Sequence, residues 1–119
     1  MKRSQPPAAY QEFVRRFPRL GGAWRLASDE AAAGPLDART QRLVKLAIAV
    51  GAQRESAVHS AVRKALDEGV SLAEMEQLVP LAAPTIGFPA SVAAWSWIRE
   101  TAPAAGAVSS PARRRKRAR

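Results

Sequence analysis

The sequence predicts an all-α fold, a compact bundle of about six helices, and three observations favour it. Hydrophobic residues make up 47% of the 119 residues but aromatic residues only 6%, so the core must consist mostly of alanine, leucine and valine. This composition, with few β-branched residues, favours helices. Apolar residues recur at helical spacing, nine prolines and seven glycines divide the chain into short segments, and no segment shows the alternation of a strand.

The first two predicted helices carry aromatic residues. From Ala8, an i, i+3, i+4, i+7 pattern predicts a helix that Pro18 ends; its apolar face is Tyr10, Phe13, Val14 and Phe17. A break is expected at Gly21–Gly22. The second helix then follows and stops at Gly34–Pro35, with one face formed by Ala23, Trp24, Ala27 and Ala31.

Residues 36–69 show the densest apolar pattern and predict two helices joined by a polar corner at Gly51–Glu55. Asp37 is a suitable N-cap for the third helix, which is apolar almost all round and is therefore expected to be the most buried. Gly51 marks its expected end. The fourth helix should close at Gly69, and its inner stripe is Ala57, Val58, Ala61, Val62, Ala65 and Leu66.

Two further helices follow. Ser71 and Glu74 have the spacing of a capping box, which predicts the start of the fifth helix. Pro80 and Pro84 should kink it, because each lacks an N–H group. Pro89 suits the first turn of a last helix.

The predicted domain organisation is a flexible leader at 1–7, a helical domain at 8–101 and a disordered basic tail at 102–119. Six of the 19 basic residues lie within 113–119, and without them the formal net charge falls from +9 to +3. The basicity therefore belongs to the tail. Such a tail could contact nucleic acid or acidic surfaces without specificity, although a simple solvated end is also consistent with it.

Several classes of protein are excluded by what the sequence lacks. It contains no cysteine, which rules out disulfides, thiolate metal sites and cysteine nucleophiles. No apolar run reaches the roughly 20 residues that a membrane span needs, and no secretory signal is recognisable at the start. We therefore expect a cytoplasmic protein with no cofactor and no metal.

The helix pair also indicates kinship. It contains D-x-R-T-x-x-L-V-x-L-A from Asp37 and A-V-R-x-A-L-x-x-G-x-S from Ala61, followed by G-F-P from Gly87. This pattern resembles the carboxymuconolactone decarboxylase family, which includes the alkylhydroperoxidase D-like proteins, over about residues 10–100. The resemblance implies a small all-helical domain that assembles as a homo-oligomer, a trimer or a hexamer, with its site near residues 51–61.

The resemblance also shows which chemistry is lost. The family's redox branch uses a glutamate and a C-x-x-C-x-x-x-H motif, and these roles fall on four residues of other types, Arg42, Arg54, Ala57 and Ala61. A thiol peroxidase mechanism is therefore excluded, even where peroxiredoxin or alkylhydroperoxidase activity would be assigned by kinship.

The cysteine-free decarboxylase branch has Arg-Glu-His-Glu at the same corner and a histidine four residues on. Arg54 and Glu55 match it, whereas the next three roles fall on Ser56, Ala57 and Ala61. His59 lies two residues before the expected histidine, a rotation of about 200° along a helix.

Three residues are the candidates for a site. Glu55 and His59, four residues apart, could act as catalytic base and acid, or they could form only an exposed ion pair. Arg54 could bind the carboxylate of a substrate, or it could simply extend along apolar surface or pair with an acid such as Glu55. Trp24, Trp95 and Trp97 could line a pocket, although aromatic residues are more often core or subunit contacts.

Two functions remain open. One is a carboxymuconolactone decarboxylase-like lyase, rather than a thiol peroxidase, that acts on or binds a small organic acid by acid–base chemistry. The other is a non-catalytic oligomeric scaffold that binds a ligand or partner, with its basic tail as one contact.

Overall fold

A computed structural model of the protein describes residues 7–106, and within that range the regular structure is helical throughout. The six helices are α1 (Ala8–Arg16), α2 (Pro18–Ala32), α3 (Ala38–Ala52), α4 (Glu55–Asp67), α5 (Leu72–Ile86) and α6 (Phe88–Gly106). The predicted all-α class and the predicted number of helices are confirmed. None of the helices in this range is both long and apolar enough to cross a membrane.

The core lies among α3, α4, α5 and α6. Helix α4 packs between α3 and α6, and α5 packs against α6 and α3. The predicted stripe of α4 faces this core in part: Val58, Val62 and Ala65 are fully buried, whereas Ala57 is exposed. The other buried apolar residues come from the three neighbouring helices and the loop before α5: Leu46, Ala49, Val50, Val70, Met75, Ala94, Ile98 and Ala102.

Helices α1 and α2 form an arm that contributes no residue to the core. The break predicted at Gly21–Gly22 is wrong, because α2 begins at Pro18 and runs through both glycines. Proline suits the first turn of a helix, whose N–H groups have no partner within it. A Cβ on Gly21 would lie 3.2 Å from Cβ of Val14, so glycine here allows α2 to lie close against α1.

The prediction that α3 is the most buried helix is also wrong. It buries Leu46, Ala49 and Val50, whereas Ile48 on its other side is 64% exposed. An apolar pattern does not say which faces will meet a neighbour, and only one face of α3 packs on the core. The Asp37 cap is confirmed, since its Oδ1 accepts a hydrogen bond of 2.7 Å from the backbone N–H of Thr40.

The ends of the remaining helices follow the local sequence signals. Helix α4 is followed by Gly69 with φ +84°, and the N–H groups of Gly69 and Val70 cap carbonyls of its last turn. The capping box of α5 is complete, with Ser71 and Glu74 each bonded to the other's backbone. Pro80 and Pro84 lie inside α5 and do not end it.

Helix α6 begins at Phe88, beside the predicted Pro89 start, and continues five residues beyond the predicted domain end at residue 101. Residues 102–106 are therefore helical rather than disordered, and Ala102 is part of the core. The division of the chain into leader, domain and tail is otherwise still a prediction. Residues 1–6 and 107–119, which include the basic run at 113–119, lie outside the described residues.

Candidate functional site

A cleft of about 740 Å³ lies along the exposed side of α3 and α4, and Trp24 of α2 contributes to its wall. The middle of the cleft is apolar, with Ile48, Ala49, Ala57 and Ala61 on the facing helices. Polar and charged residues lie towards both ends. They are Arg42, Lys45, Gln53, Arg54, Glu55, Ser56, Ser60 and Lys64.

The corner between α3 and α4 closes one end of the cleft. Gln53 adopts a left-handed conformation (φ 56°), and its side-chain amide donates to the carbonyls of Val50 at 2.9 Å and Ala90 at 3.3 Å. The backbone N–H of Arg54 donates to the carbonyl of Ala49 at 3.2 Å. These bonds join the corner to α3 and α6, so the first turn of α4 has a fixed position beside the cleft.

Arg54 is the N-cap residue of α4 and lines the cleft with an exposed side chain. None of the ion pairs between residues 7 and 106 involves its guanidinium. The possible pairing of Arg54 with Glu55, which the sequence left open, does not occur. Its charge is therefore available to a ligand in the cleft.

Glu55 is brought beside Arg54 in the lining, whereas His59 does not line the cleft. His59 lies on the side of α4 that faces α6. Its Nε2 atom is 3.9 Å from Oε2 of Glu55 and 3.3 Å from Oε1 of Glu100. Glu55 thus connects the cleft with the histidine, and its side chain is 54% exposed.

Glu55, His59 and Glu100 are also the residues that could hold a metal ion among those described, because one ligand atom of each lies within 4.8 Å of the others. The Nε2 atom of His59 is shielded from solvent and makes no hydrogen bond to a described residue. The His59 side chain as a whole is 29% exposed, and both carboxylates are more exposed than that. An imidazole and two carboxylates are a donor set of the kind that zinc accepts.

The opposite end of the cleft carries a cluster of cations that sequence reasoning did not single out as a site: Arg42, Lys45 and Lys64. Partial burial lowers the pKa of Lys64, and the nearby charges of Arg42, Lys45 and Arg63 lower it further. Arg42 and Lys45 are three residues apart on α3, and Lys64 follows Ala61, another residue of the lining, by three residues on α4. The spacing within each helix was visible in the sequence. The sequence did not show that the cations of α3 and the lysine of α4 line the same cleft.

The three tryptophans have different environments. Trp24 lines the cleft and is 57% exposed. Trp95 instead donates its indole N–H to Glu76 at 2.9 Å and lies under the guanidinium of Arg99, and Trp97 packs against the core. The suggestion of an aromatic pocket wall therefore holds for Trp24 alone among the three.

Together these features define a small all-α domain with a charged cleft beside a helix corner. A family model for the carboxymuconolactone decarboxylase family matches residues 12–100. The chain belongs to this family. A comparison with curated proteins found no match.

The family resemblance and the cleft agree in one respect. Arg42, Arg54, Ala57 and Ala61, the positions on which the redox roles of the family fall, all line the cleft. Two of them are arginines and two are alanines, and the chain has no cysteine. These positions of the cleft therefore carry cationic and small apolar side chains and no thiol.

Proposed function

We propose that this family member binds a small organic acid in the cleft between α3 and α4, with Arg54 as the carboxylate anchor. The observation that carries the proposal is an arginine without an ion-pair partner among the described residues, located at one end of a cleft whose middle is apolar. A guanidinium can donate two parallel hydrogen bonds to a carboxylate. The apolar wall of Ile48, Ala57 and Ala61 suits the body of such a ligand.

The start of α4 adds to this anchor. The cap residue Arg54 supplies no side-chain hydrogen bond to the first turn, so the N–H groups there remain available. A helix N-terminus carries a partial positive charge and favours an anion nearby. The guanidinium and the N-terminus of α4 would therefore both attract a bound carboxylate.

We assign Glu55 the role of proton acceptor and donor, because its carboxylate lies beside Arg54 in the cleft lining. The step is a proton transfer from a C–H group of the ligand, next to a carbonyl, to the carboxylate and back. His59 is a positioning residue in this proposal. It is 3.9 Å from Glu55 and is absent from the lining, so it acts on the ligand through Glu55.

Binding is tested with benzoate, followed by NMR or calorimetry on the full chain. Arg54→Gln should weaken benzoate binding about tenfold or more, the size expected for a lost charge-assisted contact. Arg99→Gln is the matched control, since Arg99 pairs with Glu76 and does not line the cleft. Equal benzoate affinity in the wild type and Arg54→Gln would contradict the anchor.

Proton transfer is tested by deuterium incorporation from D₂O into 4-oxopentanoate, an acid with exchangeable C–H groups beside a carbonyl. The wild type should accelerate exchange over buffer, and Glu55→Gln should abolish the acceleration while it retains benzoate binding. His59→Gln should reduce the rate and change its pH profile, because the histidine acts through Glu55. Benzoate binding without any accelerated exchange would support a binding protein instead of a lyase.

We also propose that the protein is a homo-oligomer assembled through the α1–α2 arm, with the trimer or hexamer of the family resemblance as the expected state. The arm buries none of its residues, yet it exposes large apolar side chains, namely Tyr10, Phe13, Phe17, Leu20, Trp24 and Leu26. Contiguous exposed apolar surface of this kind is typical of subunit contacts.

Light scattering after size exclusion tests the assembly. The expected mass is three or six times the 12.8 kDa of the chain, and Phe13→Glu should reduce it. A monomer at micromolar concentration would contradict the assembly. An oligomer that binds no carboxylate would favour the non-catalytic scaffold.

A further inference from the structure

The end of the cleft opposite Arg54 carries a cluster of cationic side chains. Arg42 and Lys45 reach it from α3 and Lys64 from α4, so two helices direct three cations at one region of the cleft wall. The carboxylate that lines the cleft, Glu55, is at the other end, in the first turn of α4. Lys64 lies nine residues further along that helix, a rise of about 13 Å.

The surroundings of Lys64 disfavour its charged form. After burial, the largest influences on its ammonium group are the three cations Arg42, Lys45 and Arg63, and together they lower its pKa. Like charges at such close range repel one another, and a bound anion would relieve the repulsion.

Charge balance indicates what kind of anion fits. Within the described lining, four cations face one carboxylate, which leaves a formal charge of +3. A ligand with a single carboxylate neutralises one of these charges, at Arg54. A phosphate monoester carries a charge of about −1.5 to −2 at pH 7 and offers three acceptor oxygens, which matches the three remaining donor side chains.

We propose that the cleft takes an organic acid that also carries a phosphate monoester, with the phosphate held by Arg42, Lys45 and Lys64 and the carboxylate by Arg54. The apolar wall between the two ends, with Trp24 at its side, contacts the body of the ligand. This inference rests on the proposed function and adds the second charged group of the ligand.

The test compares phenyl phosphate, benzoate and inorganic phosphate as probes of the full-length protein, by calorimetry at fixed ionic strength. Phenyl phosphate should bind about tenfold more tightly than benzoate, because it forms more charge-assisted contacts. It should also bind more tightly than inorganic phosphate, because its ring contacts the apolar wall. Equal affinities for phenyl phosphate and benzoate would overturn the proposal.

Single variants then locate the phosphate. Lys64→Gln and Lys45→Gln should each remove most of the preference for phenyl phosphate and leave benzoate affinity close to that of the wild type. Arg63→Gln is the matched control, because it removes one charge from the same helix without removing a residue of the lining. If Arg63→Gln reduced the preference as much as Lys64→Gln, general electrostatic potential would explain the binding and the phosphate site would be refuted.

The two proposals fail separately. Benzoate binding that depends on Arg54, without any preference for phenyl phosphate, would leave the organic-acid site intact and refute the phosphate site. Phenyl phosphate binding that depends on Lys64, with no effect of Arg54→Gln on benzoate, would refute the carboxylate anchor while the phosphate contacts stand.

Discussion

Glu74 links the start of α5 to α3, and its replacement tests how much this link stabilises the fold. Its carboxylate accepts a hydrogen bond of 2.9 Å from the backbone N–H of Ser71, which completes the capping box of α5. The same carboxylate accepts a second hydrogen bond from the guanidinium of Arg39, which lies 35 residues earlier on α3. Glu74→Ala removes both interactions at once.

The magnitude follows from these two contacts. Loss of the hydrogen bond from the Ser71 N–H to Glu74 costs about 0.5–1.5 kcal/mol of unfolding free energy, while the bond from the Glu74 N–H to the Ser71 hydroxyl remains. The Arg39–Glu74 pair is solvent-exposed, with 45% and 40% of the two side chains accessible, so it contributes only about 0.2–1 kcal/mol. Glu74→Ala should therefore destabilise the protein by about 1–2 kcal/mol, which lowers Tm by about 4–16 °C for a domain of this size.

The pH dependence of stability distinguishes the contribution of the Glu74 charge from that of the capping box. The hydrogen bond from Arg39 is the largest cause that lowers the pKa of Glu74 from 4.5 to about 2. Because the pKa is lower in the folded protein, the stabilisation is fully present above pH 4.5 and is lost as the pH falls towards 2. Glu74→Gln keeps an acceptor for the cap but has no charge to titrate, so this part of the pH dependence should disappear.

Thermal and urea unfolding at fixed protein concentration, between pH 2 and 7, measure these effects. Arg39→Gln should remove the contribution of the pair alone, and Ser71→Ala that of one cap hydrogen bond. The reasoning would be refuted if Glu74→Ala unfolded at the wild-type Tm, or if Glu74→Gln kept the full loss of stability between pH 4.5 and 2.

Further predictions concern packing and backbone conformation. Met75→Ala should lower the free energy of unfolding by about 2–5 kcal/mol, since Met75 is fully buried. Ile48→Ala should lower it far less in the isolated subunit, because Ile48 is 64% exposed. Urea unfolding of both variants measures the difference. Gly69→Ala should destabilise the protein by about 1 kcal/mol, because φ is +84° there. Gly51→Ala, in a helix with open space around the added Cβ, should instead stabilise it by about 0.4–1 kcal/mol, and an equal sign of ΔΔG for the two glycines would contradict this explanation.

The sequence predicted best those features that depend on neighbouring residues. The Asp37 cap, the Ser71–Glu74 box and the Gly69 terminus each need only a few adjacent residues, and all three are present in the structure. Three residues of the predicted inner stripe of α4, Val58, Val62 and Ala65, are buried, because residues with the same period share a face, whereas Ala57 of the same stripe is exposed on the cleft wall. Local signals therefore defined most helix ends and the fold class.

Features that depend on how helices meet were harder to predict. Apolar residues surround α3, but the pattern could not show that the side with Ile48 stays uncovered in the subunit and forms a cleft wall. In the sequence, the glycine pair in α2 resembled a break. Its role is instead to allow the close approach of Gly21 to Val14, and the sequence does not show this tertiary contact. Tertiary packing overrides local propensity in both cases.

The candidate site shows the same division. Placing Arg54 and Glu55 beside each other required only adjacency and the helix corner, and both residues line the cleft. The separation of His59 from the cleft agrees with its position two residues before the expected histidine. The cluster of Lys64 with Arg42 and Lys45 forms across two helices, so no single stretch of sequence revealed it.

The position of Trp24 links the cleft to the arm. Trp24 belongs to α2, which buries none of its residues, yet it forms part of the cleft wall. A ligand that contacts the indole would therefore stabilise the position that α2 has here beside the cleft. Since such coupling is reciprocal, a second copy that binds the arm in the proposed assembly should raise the affinity for the ligand by the same factor. Under these proposals, a ligand in the cleft should promote association, and association should promote binding of the ligand.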